Sequence, residues 1–224
     1  MPKLEETIEA EVEIPFNSFR LNGELIIPPN AAGVVLFAHG SGSSRHSARN
    51  RFVAAELQAG AMATLLIDLL TPEEEAVDAL SGHLRFDIGL LAERLVAATT
   101  WLESHAETRD LPVGYFGAST GGGAALVAAA ARPDAVRAVV SRGGRPDLAG
   151  DALPHVKAPT LLIVGGEDPQ VIRLNQEAMK RLRCECEKEL RIVPGATHLF
   201  EEPGALEEVA SLARDWFQKH LTAA

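Results

Sequence analysis

A serine between two glycines carries the clearest chemical signal in this sequence. Ser119 is the centre of GASTG at residues 117–121, which follows the apolar run Val113–Phe116 and precedes an alanine-rich stretch. On a strand–turn–helix unit, G-x-S-x-G holds a serine hydroxyl above a sheet, where it can act as a nucleophile. Two other interpretations are a serine that only caps the next helix and a glycine loop that cradles phosphate. No lysine follows the glycines, and their spacing misses the dinucleotide-binding pattern, so the nucleophile is favoured.

A serine nucleophile needs a base, and the base needs an acidic group that orients it. In this kind of fold the expected chain order is serine, acid, histidine. Asp168 and His198 follow the last two apolar runs of the chain, in that order. We therefore predict Ser119 as nucleophile, Asp168 as orienting acid and His198 as base. Glu167 is a competing acid, and Asp168 also fits the simpler role of a helix cap.

Acyl transfer also needs donors for the oxygen anion that forms on the substrate. The apolar run Val34–Ala38 leads into His39-Gly40, and the loop after such a strand is where a second donor is expected. We assign the backbone amides of Ser41 and Thr120 to this oxyanion hole, with Gly42 as the alternative to Ser41. The loop also fits a glycine–serine nest that binds an anion without catalysis.

Residues at the predicted strand ends are candidates for a substrate pocket: Gly42, Arg45, His46 and Arg142. A guanidinium such as that of Arg142 can bind a carboxylate through two parallel hydrogen bonds. The alternative for Arg142 is a local ion pair with Asp147. The segments that could supply a lid, 71–85 and 143–154, are short. We therefore expect a minimal lid, a fairly open site, small or medium acyl groups and no lipase behaviour.

The elements that must position these residues alternate between strand and helix. Short apolar runs predict strands buried on both faces of a largely parallel sheet: Val34–Ala38, Ala63–Ile67, Val113–Phe116, Ala138–Val140, Thr160–Val164 and Leu190–Val193. Thr7–Ile14 alternates apolar and polar residues, which indicates an edge strand. Asn22-Gly23 is predicted as the turn that pairs it with Glu24–Ile27. The sequence thus predicts an α/β protein with about eight strands and helices on both faces.

An alanine-rich helix is predicted after Ser119 through Ala131, and three further helices are indicated by pattern. Apolar residues at three-, four- and seven-residue spacings from Leu84 to Leu102 predict one amphipathic helix. The segment 71–74 (TPEE) has a capping threonine, a proline and a glutamate at the positions that begin a helix. A last helix is predicted around 206–217. Binding and catalytic sites in such sheets form beyond the carboxyl ends of the strands. We therefore expect the active site in the loops at these ends.

Composition excludes several classes of protein. The 224 residues are 46% hydrophobic and 23% charged, which favours one globular domain over 1–224. A net charge of −10 disfavours nucleic acid and anionic membranes as partners. No apolar run is long enough to span a bilayer, and the polar segment Met1–Glu13 does not resemble a signal peptide, so we expect a cytoplasmic protein. Cys184 and Cys186 are too few for a disulfide framework or a zinc site and are expected to be reduced thiols.

Five segments together resemble the α/β-hydrolase superfamily, and its dienelactone-hydrolase-like branch in particular: HGSGSSRHSARN, GYFGASTGGGAA, SRGGRPDLAG, LLIVGGEDP and PGATHLFEEPG. Within that branch, the chain is similar to hydrolase domains found beside or fused to phosphoribosyltransferases. The resemblance implies an α/β-hydrolase fold, the roles given above to Ser119, Asp168 and His198, no cofactor and no metal. Dienelactone hydrolases proper carry cysteine in place of Ser119, so lactone cleavage is not implied. No phosphoribosyltransferase domain is present in the sequence, so nothing about nucleotides carries over.

We therefore expect a serine hydrolase that cleaves a small-molecule ester through an acyl-enzyme. The alternatives are a thioesterase or peptidase with the same three residues, and a non-catalytic binding module that kept the fold. A homodimer is left open. Gly122 and Gly123 stand in the first turns of the predicted helix, where each costs about 1 kcal/mol relative to alanine. They indicate either close packing or a need for space in the pocket.

Overall fold

The computed structural model of the chain describes residues 6–182 and 187–222. Its strands are β1 (Ile8–Phe16), β2 (Phe19–Ile27), β3 (Val34–Ala38), β4 (Ala63–Ile67), β5 (Val113–Ala118), β6 (Val136–Arg142), β7 (Thr160–Gly165) and β8 (Lys188–Val193). They form one sheet in the order β1-β2-β4-β3-β5-β6-β7-β8. The β1–β2 and β2–β4 pairs are antiparallel and all other neighbours are parallel. The predicted eight-stranded, mostly parallel sheet is confirmed.

Helices cover both faces of this sheet. They are α1 (Ala48–Ala59), α2 (Pro72–Ser81), α3 (Ile88–Ser104), α4 (Thr120–Ala131), α5 (Pro169–Arg181) and α6 (Ala205–Leu221), with short 3-10 segments at Leu84–Phe86 and Pro146–His155. The buried residues of α1 and α6 pack in one apolar layer, and those of α3, α4 and α5 pack in the other. The inner strands β3, β4, β5 and β7 are buried along their whole length, as a sheet covered on both faces requires.

The first hairpin differs from the prediction. Asn22 and Gly23 lie inside β2, and the turn is at residues 17–18. Asn17 takes that turn with φ of 51°, a conformation that asparagine tolerates better than most residues. Gly23 serves packing instead, because a Cβ there would lie 3.1 Å from a methyl group of Val12. The prediction was wrong because glycine is favoured for two different reasons. It tolerates the backbone conformations of turns, and it also lacks the Cβ that would clash where strands pack closely.

The first helix pattern begins later than predicted. Leu84 belongs to the 3-10 segment, and α3 starts at Ile88 after the cap residue Asp87. Leu84 still packs against the same apolar layer as α3, which explains why its spacing fitted the helical stripe. The capping box predicted for residues 71–74 is present at the start of α2.

The carboxyl ends of the parallel strands bring the predicted site loops to one edge of the sheet. The strands β5 and β6 each extend two residues further toward this edge than their apolar runs predicted, to Ala118 and Arg142, which pair with each other. In the part of the chain that the structure describes, no helix combines the length and apolarity needed to cross a bilayer. Cys184 and Cys186 lie outside the described residues, so the prediction for their thiols stays a prediction.

Candidate active site

Ser119 stands in a strained turn between β5 and α4. Its backbone has φ of 51° and ψ of −120°, a combination that costs a non-glycine residue about 1–3 kcal/mol. The flanking glycines permit this turn because the chain passes very close to itself. A Cβ on Gly121 would lie 2.2 Å from the Ala38 carbonyl oxygen, and one on Gly117 would lie 2.6 Å from the Gly121 carbonyl oxygen. The glycines of G-x-S-x-G are therefore steric requirements of the turn.

The structure brings Ser119, His198 and Asp168 together. His198 Nε2 is 3.4 Å from Ser119 Oγ, and His198 Nδ1 is 2.7 Å from Asp168 Oδ2. An ionised carboxylate only accepts hydrogen bonds, so Nδ1 donates and Nε2 is left free to accept a proton from the serine. The other oxygen of Asp168 accepts the Val171 amide at 3.3 Å and caps α5, so this residue makes the contacts that both predicted roles require. Glu167, the competing acid, is exposed to solvent.

The loops that carry the acid and the base are fastened to each other. The Glu167 amide donates to the Ala196 carbonyl at 2.9 Å, which joins the loop after β7 to the loop after β8. A Cβ on Gly165 would lie 2.4 Å from the same Ala196 oxygen, so only glycine allows this approach. The relative position of Asp168 and His198 is thus set mainly by backbone contacts.

The loop after β3 is held by a buried histidine. His39 Nε2 accepts the Leu69 amide at 2.9 Å, so Nδ1 carries the proton and donates to the Gly40 carbonyl at 2.9 Å. Burial lowers the pKa of His39, although the bond to Gly40 and the charge of Asp68 oppose that shift. A neutral histidine therefore connects the end of β3 to the segment after β4.

The same contacts orient the amides assigned to the oxyanion hole. The Gly40 carbonyl accepts from His39 and also from the Ser43 amide at 3.2 Å. Because the peptide is trans, the Ser41 N–H points to the opposite side, and no described residue accepts it. Thr120 is the first residue of α4, and a helix has no internal acceptor for its first amides. Both predicted donors are thus available, and the positive end of α4 lies behind them.

Close packing explains the two further glycines after the nucleophile. A Cβ on Gly122 would lie 2.5 Å from Ser141 Oγ, and one on Gly123 would lie 2.8 Å from the Arg145 carbonyl oxygen. The end of β6 and the segment after it therefore pack directly against the first turns of α4. Of the two reasons that the sequence left open, packing is the one the structure supports.

A cleft of about 490 Å³ begins beside the nucleophile. It is lined by His39, Gly40, Ser41, Gly42, Ser43, Ser44, His46, Ser47, Leu69, Leu70, Glu75, Asp78, Arg85, Leu91 and Thr120. Ser119 and His198 are not among its lining residues, so the cleft starts at Thr120 and leads away from the nucleophile toward α2. Two of the predicted pocket residues, Gly42 and His46, line this cleft.

The other two predicted pocket residues, Arg45 and Arg142, do not line it. The Arg45 guanidinium is bound to Asp68 and lies 3.7 Å from Glu11, so its charge is already paired. Arg142 is buried, with 7% of its surface exposed. It does not pair with Asp147, whose partner is Arg145 at 2.7 Å. The sequence could not show that a neighbouring arginine takes this acid.

The sequence did not predict the charged residues that line the cleft, Glu75, Asp78 and Arg85. Asp78 is buried at the end of α2 and binds Arg85 and two amides of the 3-10 segment. Burial opposes its ionisation, but these hydrogen bonds and the Arg85 charge hold the pKa of Asp78 below its usual range. Burial and the charge of Asp68 raise the pKa of Glu75. The capping signal located α2, but only the folded chain shows which of its acids face the cleft.

Residues 25–222 match the dienelactone hydrolase family over most of the chain. The chain belongs to the dienelactone hydrolase family. This confirms the resemblance drawn from the five sequence segments. In this dienelactone hydrolase family member, the described residues contain no cluster of three or more His, Cys, Asp or Glu side chains that could hold a metal ion.

The chain is similar to several individual proteins. A dienelactone hydrolase from Anabaena variabilis is 62% identical, and the match covers 97% of this chain and 100% of that one with a TM-score of 0.93. A Mycobacterium tuberculosis protein named as a phosphoribosyl transferase is 59% identical over 213 residues, which are 95% of this chain and 47% of that protein. The chain thus spans about half the length of this relative. An esterase from an Arctic intertidal metagenomic library is 16% identical with a TM-score of 0.77, over 99% of this chain and 98% of that one, and shares the fold.

Proposed function

We propose that this member of the dienelactone hydrolase family is a serine esterase that cleaves small and medium carboxylic esters through an acyl-enzyme on Ser119. The observation that carries the proposal is the chain of contacts from Ser119 Oγ through His198 to Asp168, at 3.4 Å and 2.7 Å. A strained serine next to an oriented imidazole is the arrangement that acyl transfer requires.

In the first half of the reaction, His198 Nε2 takes the hydroxyl proton as Ser119 Oγ attacks the ester carbonyl carbon. The negative oxygen that forms accepts hydrogen bonds from the Ser41 and Thr120 amides. The imidazolium is stabilised by the Asp168 carboxylate at Nδ1. It then gives its proton to the alcohol oxygen as the bond from the carbonyl carbon to that oxygen breaks. The products of this half are the free alcohol and an acyl group bound to Ser119.

In the second half, water takes the place of the alcohol. His198 Nε2 accepts a proton from the water as its oxygen attacks the acyl carbon, and the same two amides bind the oxygen anion. The proton returns to Ser119 Oγ as its bond to the acyl carbon breaks. The carboxylic acid leaves and the starting state is restored. Each step uses only these side chains, the two amides and water.

The volume and the lining of the cleft favour an ester with a small or medium acyl group. The lining includes the apolar side chains of Leu69, Leu70 and Leu91, and the residues contributed by α2 and the 3-10 segment after it are charged. The segment expected to supply a lid contributes Glu75 and Asp78 of α2 and Arg85 of the following 3-10 segment to the lining of the cleft. A cleft of about 490 Å³ with this lining suits a short acyl chain better than a long one.

The test is hydrolysis of p-nitrophenyl acetate, butyrate and octanoate, with a thioester, an aryl lactone and a peptide anilide in parallel. We expect kcat/KM to be highest for acetate or butyrate and to fall to background in Ser119→Ala, which removes only one oxygen atom. A thioester or anilide turned over better than every ester would favour the thioesterase or peptidase alternative. No turnover by folded protein would favour a binding module.

A further inference from the structure

The strand β8 ends the sheet and pairs with β7 on one side only. The Thr160 amide donates to the Glu187 carbonyl at 3.0 Å, so alternate residues from Glu187 onward direct their backbone groups toward β7. Lys188, Leu190 and Ile192 therefore present their N–H and C=O groups at the outer edge of β8. Among residues 6–182 and 187–222, no strand pairs with this edge. An open edge of this kind is a template on which another strand can pair.

Both faces of the sheet are open to solvent at this edge. On one face, a groove of about 190 Å³ lies between β8 and α6, and Arg191 and Trp216 are among its lining residues. The Arg191 side chain is 56% exposed there. On the other face, Ile192 is 43% exposed although it is a large apolar residue in a strand. A further strand paired with this edge would cover part of this apolar surface.

The side chains of β8 carry charges in an order that is complementary to itself. Glu189 and Arg191 lie two residues apart on one face of the strand, and their side chains bind each other at 2.7 Å. Two copies of β8 can run antiparallel with Leu190 opposite Leu190. Glu189 of each copy then faces Arg191 of the other. Because Leu190 makes the hydrogen bonds, the charged pairs occupy the positions where side chains of neighbouring strands are closest.

Charge also disfavours the neighbouring registers. A two-fold axis perpendicular to the sheet keeps each face on its own side, so a register can shift only in steps that preserve the face. One such shift brings Glu189 against Glu189, and the opposite shift brings Arg191 against Arg191. Like charges directly opposite each other are destabilising. The first shift would also bring Arg191 to Glu187, but this carboxylate already binds Lys219.

The other edge of the sheet has the opposite pattern. β1 also pairs on one side only, and Glu9, Glu11 and Glu13 stand at every second position of its exposed face. An antiparallel pair of β1 strands that overlaps at these positions places glutamate opposite glutamate. Pro15 in the same strand has no N–H to donate. β1 thus carries the features that prevent pairing at an edge, whereas the charges of β8 permit pairing with one partner, a second β8.

We propose that the outer edge of β8 binds the same edge of a second copy of this chain, antiparallel about a two-fold axis at Leu190. The two eight-stranded sheets then continue into each other. The Leu190 backbone groups of the two copies bind each other, and each Glu189 carboxylate lies between its own Arg191 and that of the other copy. The proposal is independent of the esterase function, because it uses no residue of the candidate active site.

The remaining pair in this register is also compatible. Ile192 of one copy faces Lys188 of the other, on the side of the sheet away from the charged pairs. The Lys188 ammonium is held within its own chain, by the Met179 carbonyl at 3.0 Å and by the Leu182 carbonyl. Its aliphatic stem is therefore the part that meets Ile192, and apolar surface is covered on both copies.

The first experiment measures the mass of the protein by sedimentation velocity, between about 1 and about 100 µM. We expect a dimer whose dissociation constant rises at least tenfold in Glu189→Arg and in Arg191→Glu, because each variant opposes like charges twice. The double variant Glu189→Arg/Arg191→Glu exchanges the charges and should dimerise within about threefold of the wild type. Glu93→Arg, at an exposed position of α3, makes the same charge change as Glu189→Arg and should leave the dimer intact.

The second experiment mixes the two single variants. Glu189→Arg carries arginine at both positions and Arg191→Glu carries glutamate at both, so each is complementary to the other and not to itself. We expect the equimolar mixture to form heterodimers at concentrations at which either variant alone is monomeric. A dimer through any other surface would not show this exchange.

Three results would overturn the proposal. They are a wild type that is monomeric at about 100 µM, a dimer that both single variants retain, and a loss that neither the double variant nor the mixture restores. Far-UV circular dichroism shows whether each variant is folded. Arg191→Glu changes a side chain that is 56% exposed, so it keeps the contact testable if Glu189→Arg does not fold.

Discussion

Replacing Asp168 with asparagine separates the two expected roles of this side chain, which are to orient His198 and to cap α5. One carboxylate oxygen accepts the His198 Nδ1 proton at 2.7 Å, and the other accepts the Val171 amide and caps α5. Asparagine caps helices about as well as aspartate does. Its amide group, however, faces the imidazole with a donor where the carboxylate was an acceptor. His198 Nδ1 must then accept, which puts the proton on Nε2 and blocks proton transfer from Ser119.

The size of the effect follows from that change of tautomer. In enzymes of this type, the same substitution lowers kcat by about 10⁴, which corresponds to about 5 kcal/mol of transition-state stabilisation at about 1.4 kcal/mol per tenfold. The free energy of unfolding should change by less than about 0.5 kcal/mol, because the cap is kept. Asp168→Ala loses the cap as well and should cost about 1 kcal/mol of stability.

The assay combines p-nitrophenyl butyrate hydrolysis with urea denaturation of each variant. Glu167→Gln is the matched control, because it removes an exposed carboxylate from the adjacent position. We expect its activity to stay within about twofold of the wild type, since a single exposed charge acts weakly on a distant group. Asp168→Asn with more than a tenth of the wild-type kcat, or an equal loss in Glu167→Gln, would refute the reasoning.

Three further predictions concern the elements around the site. Gly121→Ala places a Cβ 2.2 Å from a backbone oxygen and should lower kcat/KM for p-nitrophenyl butyrate at least 100-fold. Gly89→Ala is the matched control, because the nearest atom to its Cβ is 3.5 Å away. It should leave activity unchanged and raise the free energy of unfolding, measured with urea, by up to about 1 kcal/mol. Glu74→Gln leaves the buried Arg94 without its counter-charge and should cost about 3 kcal/mol of unfolding free energy; a loss under 1 kcal/mol would contradict this. Burial lowers the pKa of His39, so the unfolded chain binds the proton more readily, and stability should fall as the pH drops from above about 6.5 toward 5. His39→Gln should weaken that pH dependence in urea titrations at pH 7.5 and 5, and an unchanged slope would refute this role of His39.

The parts of the fold that local pattern controls could be predicted from the sequence. Continuous apolar runs located the buried strands because a parallel sheet is covered on both faces. The alternation in β1 indicated an edge strand, and its burial alternates accordingly. The proximity of Ser119, Asp168 and His198 could be predicted because the geometry of strand ends imposes their chain order and the glycine spacing. Their catalytic roles stay a prediction.

The remaining features depend on contacts between distant segments. Asn22-Gly23 fits a turn by sequence because glycine is favoured both in turns and where strands pack closely. Only the packing of β2 against its neighbours distinguishes the two. The sequence could not show that Arg142 does not pair with Asp147, because the structure pairs this acid with Arg145 instead. The charged residues that line the cleft depend on how α2 is oriented. The sequence could not show this orientation, because acidic residues on several sides of α2 interrupt its amphipathic pattern.

The most direct test of the account is labelling with a fluorophosphonate, which reacts far faster with an activated serine hydroxyl than with an ordinary one. The wild type, His198→Ala and heat-denatured wild type are treated in parallel, and the adduct is located by mass spectrometry. The account predicts a single adduct on Ser119 in the native wild type, and its loss in the other two samples. A folded wild type without an adduct, or an adduct on Ser119 that persists equally in His198→Ala, would contradict the central claim that Ser119 is activated by His198.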